Sequence, residues 1–153
     1  MQDTFINQTL VVIGMTEDLL TQARSVLQSA AGALEPTEEL FEVLYALVML
    51  EEYDVVHKAL REVSLTKKGT IRHKGTEMSP IPYLRVLGAF CYRVDDTRYI
   101  TSHIKKLKRL LQYVQDHFDE EYLLVRDCRD HGFSAAENFT LISELDGLTH
   151  GLN

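Results

Sequence analysis

Hydrophobic residues recur along this chain in two alternating patterns, both with the period of an α-helix. Residues 3–13, 37–50 and 80–94 carry apolar side chains on nearly every face. A helix without a polar face must be surrounded by protein, so these segments predict an inner layer. Segments with a single apolar stripe alternate with them and predict an outer layer. The stripes are Leu19, Leu20, Ala23, Val26, Leu27, Ala30 and Ala31; Val55, Val56, Ala59, Leu60 and Val63; and Ile100, Ile104, Leu107, Leu111, Val114 and Phe118.

Capping and helix-breaking residues divide these segments into seven predicted helices. The first ends near Gly14, and the second runs from Thr16 to Gly32. Short strands are expected only at residues 70–73 and 122–126. The fold class is therefore predicted as all-α, with repeated helix hairpins in two layers and one domain over residues 1–153. The other helices begin near Thr37, Asp54, Pro80 and Thr97, and at a capping box that runs from Ser134 to Glu137.

The predicted loops between hairpins are longer than those within hairpins. Residues 64–79 and 119–133 both exceed the roughly 2–8 residues that usually connect packed helices. In an up-and-down array both loops lie at the same end, and they hold most of the concentrated polar chemistry. That end is the candidate functional face. Its expected substrate-binding residues are His73, Tyr122, Arg129, His131 and Phe133.

Charge and composition exclude several classes of function. A net charge of −7 argues against nucleic acid as a partner, and the basic run from Arg98 to Arg109, which includes Lys106, is interpreted as a solvated helix face. Cys91 is expected to be a buried thiol, although pairing with Cys128 stays open. Neither a metal nor a cofactor is predicted. No signal peptide or membrane-spanning run is recognisable, so a cytoplasmic protein is expected. The helical histidines His57, His103 and His117 are expected to face solvent.

Two stretches of sequence resemble a known enzyme family. The phrase Gly69-Thr70-Ile71-Arg72, followed by residues 82–100, is similar to the six-hairpin (α/α)6 toroid glycosidases. That family includes glucoamylase-like, trehalase-like and amylo-α-1,6-glucosidase-like enzymes. The resemblance covers nearly all of this chain but about half of a twelve-helix toroid, so it implies a partial toroid of about seven helices.

Residues 127–132 resemble the glucoamylase-type loop Asp-Leu-Trp-Glu-Glu, in which the first Glu is the general acid. The resemblance implies that Asp130 is the general acid and that Asp127 matches the preceding Asp. Arg129 stands where the family has Trp, and Asp130 itself replaces a Glu. In the family the partner base comes from the second half of the toroid, which this sequence does not contain.

Glycoside hydrolysis requires two carboxylates, about 5–5.5 Å apart for retention or about 6.5–9.5 Å apart for inversion. Glu77 lies in the other long loop and is the candidate within this chain to approach Asp130. Structural roles are the alternatives. Asp127 and Asp130 would then form ion pairs with neighbouring arginines, and Glu77 would stabilise the N-terminus of the next helix.

Two functions follow from these patterns. The first is a carbohydrate-active protein related to glycoside hydrolases that act on α-linked glucosides, incomplete or inactive as this chain alone, with His131 supporting the carboxylates. The second is a non-catalytic helical-repeat module for protein interaction or dimerisation. The seventh helix has an apolar face and no hairpin partner, so a homodimer or a longer protein is expected. That face consists of Phe139, Leu141, Ile142, Leu145 and Leu148.

Overall fold

The computed structural model describes residues 2–94, 97–128, 132–135, 137–139 and 141, with side chains from residue 16 onward except at 97 and 100. The described part is mostly helical, which confirms the all-α class. Its helices are α1 (Gln2–Ala33), α2 (Glu38–Met49), α3 (Tyr53–Glu62), α4 (Ile81–Arg93) and α5 (Thr97–His117). Residues 135, 137–139 and 141 are also helical. The closed or half-closed toroid stays a prediction.

Helix α1 is continuous, so the predicted boundary between residues 14 and 16 is wrong. A glycine inside a helix costs only about 1 kcal/mol relative to alanine, and Gly14 is not followed by a proline that would end the helix. The predicted first hairpin therefore does not exist. Segments 3–13 and 16–32 follow one another along a single axis and cannot lie in two different layers.

Helices α2 and α4 pack against each other at the centre of the domain, with α1 and α3 against α2 and with α5 against α4. The predicted inner position of segments 37–50 and 80–94 agrees with this arrangement, because α4 is buried along almost its entire length. Tyr83 on α4 is fully buried and donates a hydrogen bond from its hydroxyl to the Leu60 carbonyl, 3.2 Å away. Cys91 is a buried free thiol, and burial raises its pKa to about 11.

The buried face of α5 differs from the predicted stripe. Leu107 is buried as expected, but Ile104, Leu111 and Phe118 are about two-fifths exposed. The residues that α5 buries instead are His103, Leu110 and Tyr113. Two neighbouring rows of residues on α5 both have the spacing of a buried helix face, and the row with the larger ring side chains faces the core.

The two long loops each form a small antiparallel hairpin, although the sequence predicts only one short strand in each. In the first loop, β1 (Ile71–His73) pairs with β2 (Thr76–Met78). In the second, β3 (Phe118–Asp119) pairs with β4 (Leu124–Val125). Lys74 and Gly75 both have positive φ angles of 47° and 85°, as a tight two-residue hairpin turn requires.

Candidate functional site

The two long loops meet at Tyr113, near the C-terminal end of α5. Its buried hydroxyl lies near Ser79 of the first loop and Cys128 of the second, and it has no hydrogen-bond partner among the described residues. Burial raises the pKa of the Tyr113 hydroxyl, and the nearby Cys128 raises it further. The loops therefore share one end of the domain, which is where the sequence places the candidate functional face. We call this region the loop end.

The carboxylate of Asp119 stabilises the conformation of the second loop. Asp119 forms an ion pair with Arg126 and accepts hydrogen bonds from the backbone amides of Glu121 and Tyr122, both 3.0 Å away. The hydrogen bond from the Arg126 guanidinium holds the pKa of Asp119 below its usual range. At the tip, Leu123 has a φ of 55°, an uncommon angle for a residue that is not glycine.

Two predicted substrate-binding aromatics come together beside this loop. The rings of Tyr122 and Phe133 have centroids 5.3 Å apart, and the Arg126 guanidinium lies 4.5 Å from the Phe133 ring centroid. The Tyr122 side chain is more than half exposed. An exposed aromatic face of this kind is able to pack against an apolar or sugar ring, so both residues stay candidates for ligand binding.

Asp127 is buried, and its backbone amide donates to the Gly132 carbonyl at 2.8 Å. Its predicted catalytic role is neither supported nor excluded by this position. The predicted general acid, Asp130, lies outside the described residues, together with Arg129 and His131. The predicted capping box is present in part, since the Glu137 backbone amide donates to the Ser134 hydroxyl at 3.3 Å.

Asn138 is a structural residue of the loop end that sequence reasoning missed. Its side-chain carbonyl accepts a hydrogen bond from the Val125 amide at 2.7 Å, and its side-chain amide donates to the Val125 carbonyl at 3.0 Å. The same amide nitrogen lies 2.9 Å from the Ser134 carbonyl. This buried side chain therefore joins β4 to the helix that follows the loop.

Glu77 and His73, on the first hairpin, both have partners within the chain. The Glu77 carboxylate accepts hydrogen bonds from the Thr70 hydroxyl at 3.2 Å and from the Arg72 guanidinium at 3.3 Å, across the β1–β2 pair. His73 lies 2.9 Å from the Glu35 carboxylate. The hydrogen bond from Lys74 lowers the pKa of Glu35. The hairpin is thus fastened to the end of α1, and the catalytic role of Glu77 stays a prediction.

A second polar cluster lies away from the loops, between α3 and α5. His57 Nδ1 and His103 Nε2 are 3.2 Å apart, so one ring donates a hydrogen bond to the other. His103 is only 2% exposed, so its predicted position in solvent is wrong. The pair is enclosed by aromatic rings, with the Tyr99 centroid 4.7 Å from His57 and the Phe90 centroid 6.2 Å from His103.

This environment keeps both histidines neutral. Burial lowers the pKa of His103 to about 4. Repulsion from His57, which would act when that ring is protonated, and from the charges of Lys106 and Arg61 lowers it further. Burial is also the main cause of the lowered pKa of His57. Within the described residues, no group of three or more His, Cys, Asp or Glu side chains is arranged to hold a metal ion. The geometry therefore indicates a structural pair of neutral rings.

Lys106 does not belong to a solvated face, contrary to the interpretation of the basic run. Its ammonium group donates to the carbonyls of Leu60 at 2.5 Å, Arg61 at 2.9 Å and Val63 at 2.6 Å. These carbonyls end α3 and lack partners inside the helix, and a cation at a helix C-terminus also interacts favourably with the helix dipole. Burial lowers the pKa of Lys106 to about 8.

No protein-family model matches this chain, and neither a curated protein nor a solved structure is similar to it. A helix that crosses the hydrocarbon core of a bilayer needs about 20 mainly apolar residues. None of the helices in the described ranges is both long and apolar enough to do so.

Proposed function

We propose that this chain is a non-catalytic helical module that associates with a second copy of itself through α1. The observation that supports the proposal is the exposure of the middle of that helix. Every residue from 16 to 26 is exposed, including the apolar Leu19 at 64%, Leu20 at 42% and Val26 at 68%. We call this apolar set, together with Ala23, the α1 stripe.

The C-terminal third of α1 is fixed to the rest of the domain. Leu27, Ala31 and Leu34 pack against the core, and the Gln28 amide donates to the Glu52 carboxylate at 2.8 Å. Arg24 also forms an ion pair with Glu52 at 3.4 Å. These contacts fix α1 from Arg24 onward, while Leu19, Leu20 and Val26 of the α1 stripe stay exposed.

Burial of the α1 stripe provides a driving force for association. A fully buried leucine or valine gains about 1.5–3 kcal/mol, so burying Leu19, Leu20 and Val26 from their present exposure gains about 1–2 kcal/mol each. In a symmetric dimer both copies contribute the same surface, so the gain is doubled. A single scattered leucine would need no such explanation, but these side chains are adjacent on one helix.

The test is sedimentation equilibrium of the full chain at several micromolar concentrations. We expect a dimer for the wild-type chain and a monomer for the variant Leu19→Glu with Val26→Glu, because charges on the stripe cannot be buried without partners. The matched control is Thr21→Glu with Ser25→Glu, which places the same charges on another exposed face of α1 and should leave the dimer intact. A monomeric wild-type chain would show that the proposal is wrong.

Binding of α-linked glucosides at the loop end is a second candidate function, as the family resemblance implies. The observation that favours it is the adjacent pair Tyr122 and Phe133 beside buried Asp127. Titration with a linear α-linked gluco-oligosaccharide, followed by NMR, should perturb Tyr122, and Tyr122→Ala should abolish the response. Tyr92→Ala, which alters an equally exposed tyrosine on α4, is the control. An unperturbed spectrum at millimolar sugar would rule this function out.

A glycosidase activity would in addition require Asp130, supported by Glu77. Hydrolysis of the same oligosaccharide by the wild-type chain, lost in Asp130→Asn, would favour an enzyme. Binding without hydrolysis would favour a carbohydrate-binding role instead.

A further inference from the structure

The residues of α1 repeat with a period of seven. The first row contains a large aliphatic residue at every seventh position. The second row contains a large apolar residue one position before each of the first four members of the first row. A third row, three positions after the first, contains only small residues. The rows are Ile6, Ile13, Leu20 and Leu27, followed by Leu34 one residue beyond the end of α1; Phe5, Val12, Leu19 and Val26; and Thr9, Thr16, Ala23 and Ala30.

A sevenfold repeat sustained over four heptads is the pattern of a helix that pairs with another helix in a coiled coil. We infer that α1 pairs with α1 of a second copy in antiparallel orientation, with the two-fold axis between Thr21 and Gln22. This inference rests on the proposed self-association and specifies its geometry. In this geometry the α1 stripe is covered by the same stripe on a second copy.

Side-chain size favours the antiparallel orientation. In a parallel pair each residue faces its own copy, so the layer formed by Ala23 would be poorly filled next to the layer formed by Leu20. In an antiparallel pair with this axis, Leu20 faces the partner subunit's Ala23, and the symmetry repeats this layer on the other side of the axis. Each layer then combines one large and one small residue, so both fill evenly.

Charge also favours the antiparallel orientation. Glu17 and Arg24 are one heptad apart and occupy the same flank of the seam. An antiparallel pair brings Glu17 close to the partner subunit's Arg24, and the symmetry repeats this contact on the other side. In a parallel pair the nearest flanking residue to Arg24 is the apolar Leu19. Arg24 is 45% exposed in its side chain beside Glu52 and is therefore accessible to a second carboxylate.

The position of the folded body is consistent with the same axis. The side chains of Arg24, Leu27, Gln28, Ala31 and Leu34 fasten the segment 24–34 to the rest of the domain, and all five lie on the C-terminal side of this axis. An antiparallel pair centred there places the two bodies at opposite ends of the helix pair. A parallel pair would bring both bodies to the same end.

Cysteine cross-linking separates these orientations. One chain carries Leu20→Cys, and another, extended by a tag so that it differs in mass, carries Ala23→Cys. After mixing and mild oxidation, we expect a covalent heterodimer joined through residues 20 and 23, identified by mass spectrometry of the linked peptides. Each variant alone should give at least tenfold less covalent dimer. A Ser25→Cys chain, altered on the outer face of α1, is the control for random collision.

The outcomes distinguish the inference from the proposal beneath it. Efficient cross-linking of Ala23→Cys with itself would show a parallel pair and overturn the antiparallel geometry while leaving self-association in place. A dimer in sedimentation that gives none of these cross-links would place the interface elsewhere and also overturn the inference. A chain that sediments as a monomer would overturn both.

Discussion

Acidification should destabilise this protein through His103, before most carboxylates are protonated. The folded-state pKa of His103 is about 4, below the unfolded value of about 6.5, so the folded state favours the neutral ring. The stabilisation is present above pH 6.5 and is lost as the pH falls towards 4. From these two values, linkage gives a loss of about 2 kcal/mol between pH 7.5 and pH 5, and of about 3 kcal/mol once the pH is below 4.

The physical cause is the enclosure of the ring. His103 is almost entirely buried, and its Nδ1 atom has no hydrogen-bond partner. A proton on this ring would place a positive charge close to Lys106 and Arg61, and none of the carboxylates in the described part of the chain raises its pKa. His57 contributes in the same direction, because burial lowers its pKa as well.

The assay is urea unfolding of the wild-type chain and of His103→Gln at pH 7.5 and pH 5. Glutamine cannot be protonated in this range, but its side-chain amide nitrogen is able to replace Nε2 as a donor to His57. The wild-type free energy of unfolding should fall by about 2 kcal/mol more than that of the variant. Gln115→Ala, at an exposed position of the same helix, is the matched control and should show the pH dependence of the wild type.

Equal pH dependence of the wild-type chain and His103→Gln would refute this reasoning. Carboxylates with lowered pKa values, such as Asp119, also destabilise the fold in acid. They are present in every variant, so their contribution cancels in the comparison.

Three other substitutions test contacts of the fold, each by urea or thermal unfolding. Lys106→Met should lower the free energy of unfolding by about 2–3 kcal/mol, because the carbonyls at the end of α3 lose a charged donor. The control Lys108→Met, at an exposed position of the same helix, should lower it by less than about 0.5 kcal/mol. Gly69→Ala should lower the free energy of unfolding more than Gly75→Ala, although both glycines have a φ of 85°. A new Cβ at residue 69 would lie 2.5 Å from a backbone oxygen of α5, whereas one at residue 75 would meet nothing within 4 Å. The positive φ alone is expected to lower the stability of either variant by about 1–2 kcal/mol. Equal losses of stability in the two variants would therefore contradict the close packing at Gly69. Asn138→Ala should cost about 1–3 kcal/mol and should raise amide hydrogen exchange of β4 selectively; unchanged exchange there would mean that the side chain does not hold the strand.

Several elements could be predicted from the sequence because their signals are local. The prolines at the start of α4 and the run of apolar residues after them gave the bounds of that helix to within a residue or two. The capping interaction of Ser134 with the Glu137 amide was also expected. By contrast, Gly14 was interpreted as a helix end, although a single glycine weakens a helix by an amount that its neighbours easily offset.

Of the candidate site residues, the aromatic pair Tyr122 and Phe133 could be anticipated, because both lie in one loop before a helix. The pairing of Glu77 with Arg72 depends on the register between β1 and β2, and the sequence predicted only a strand at residues 70–73. The burial of His103 was missed. Its one available signal was the spacing of four and seven residues to Leu107 and Leu110, which competed with the equally regular row through Ile104 and Leu111.

The sequence by itself determined the helical class and the approximate position of most helices, because apolar period and capping act over a few residues. Only the tertiary structure decided which of two adjacent rows on α5 faces the core, and that α1 is one helix with an exposed stripe. Neighbouring rows on a helix differ by about 100° of rotation, since one turn holds 3.6 residues. Contacts with distant segments determine that rotation, so local periodicity alone cannot.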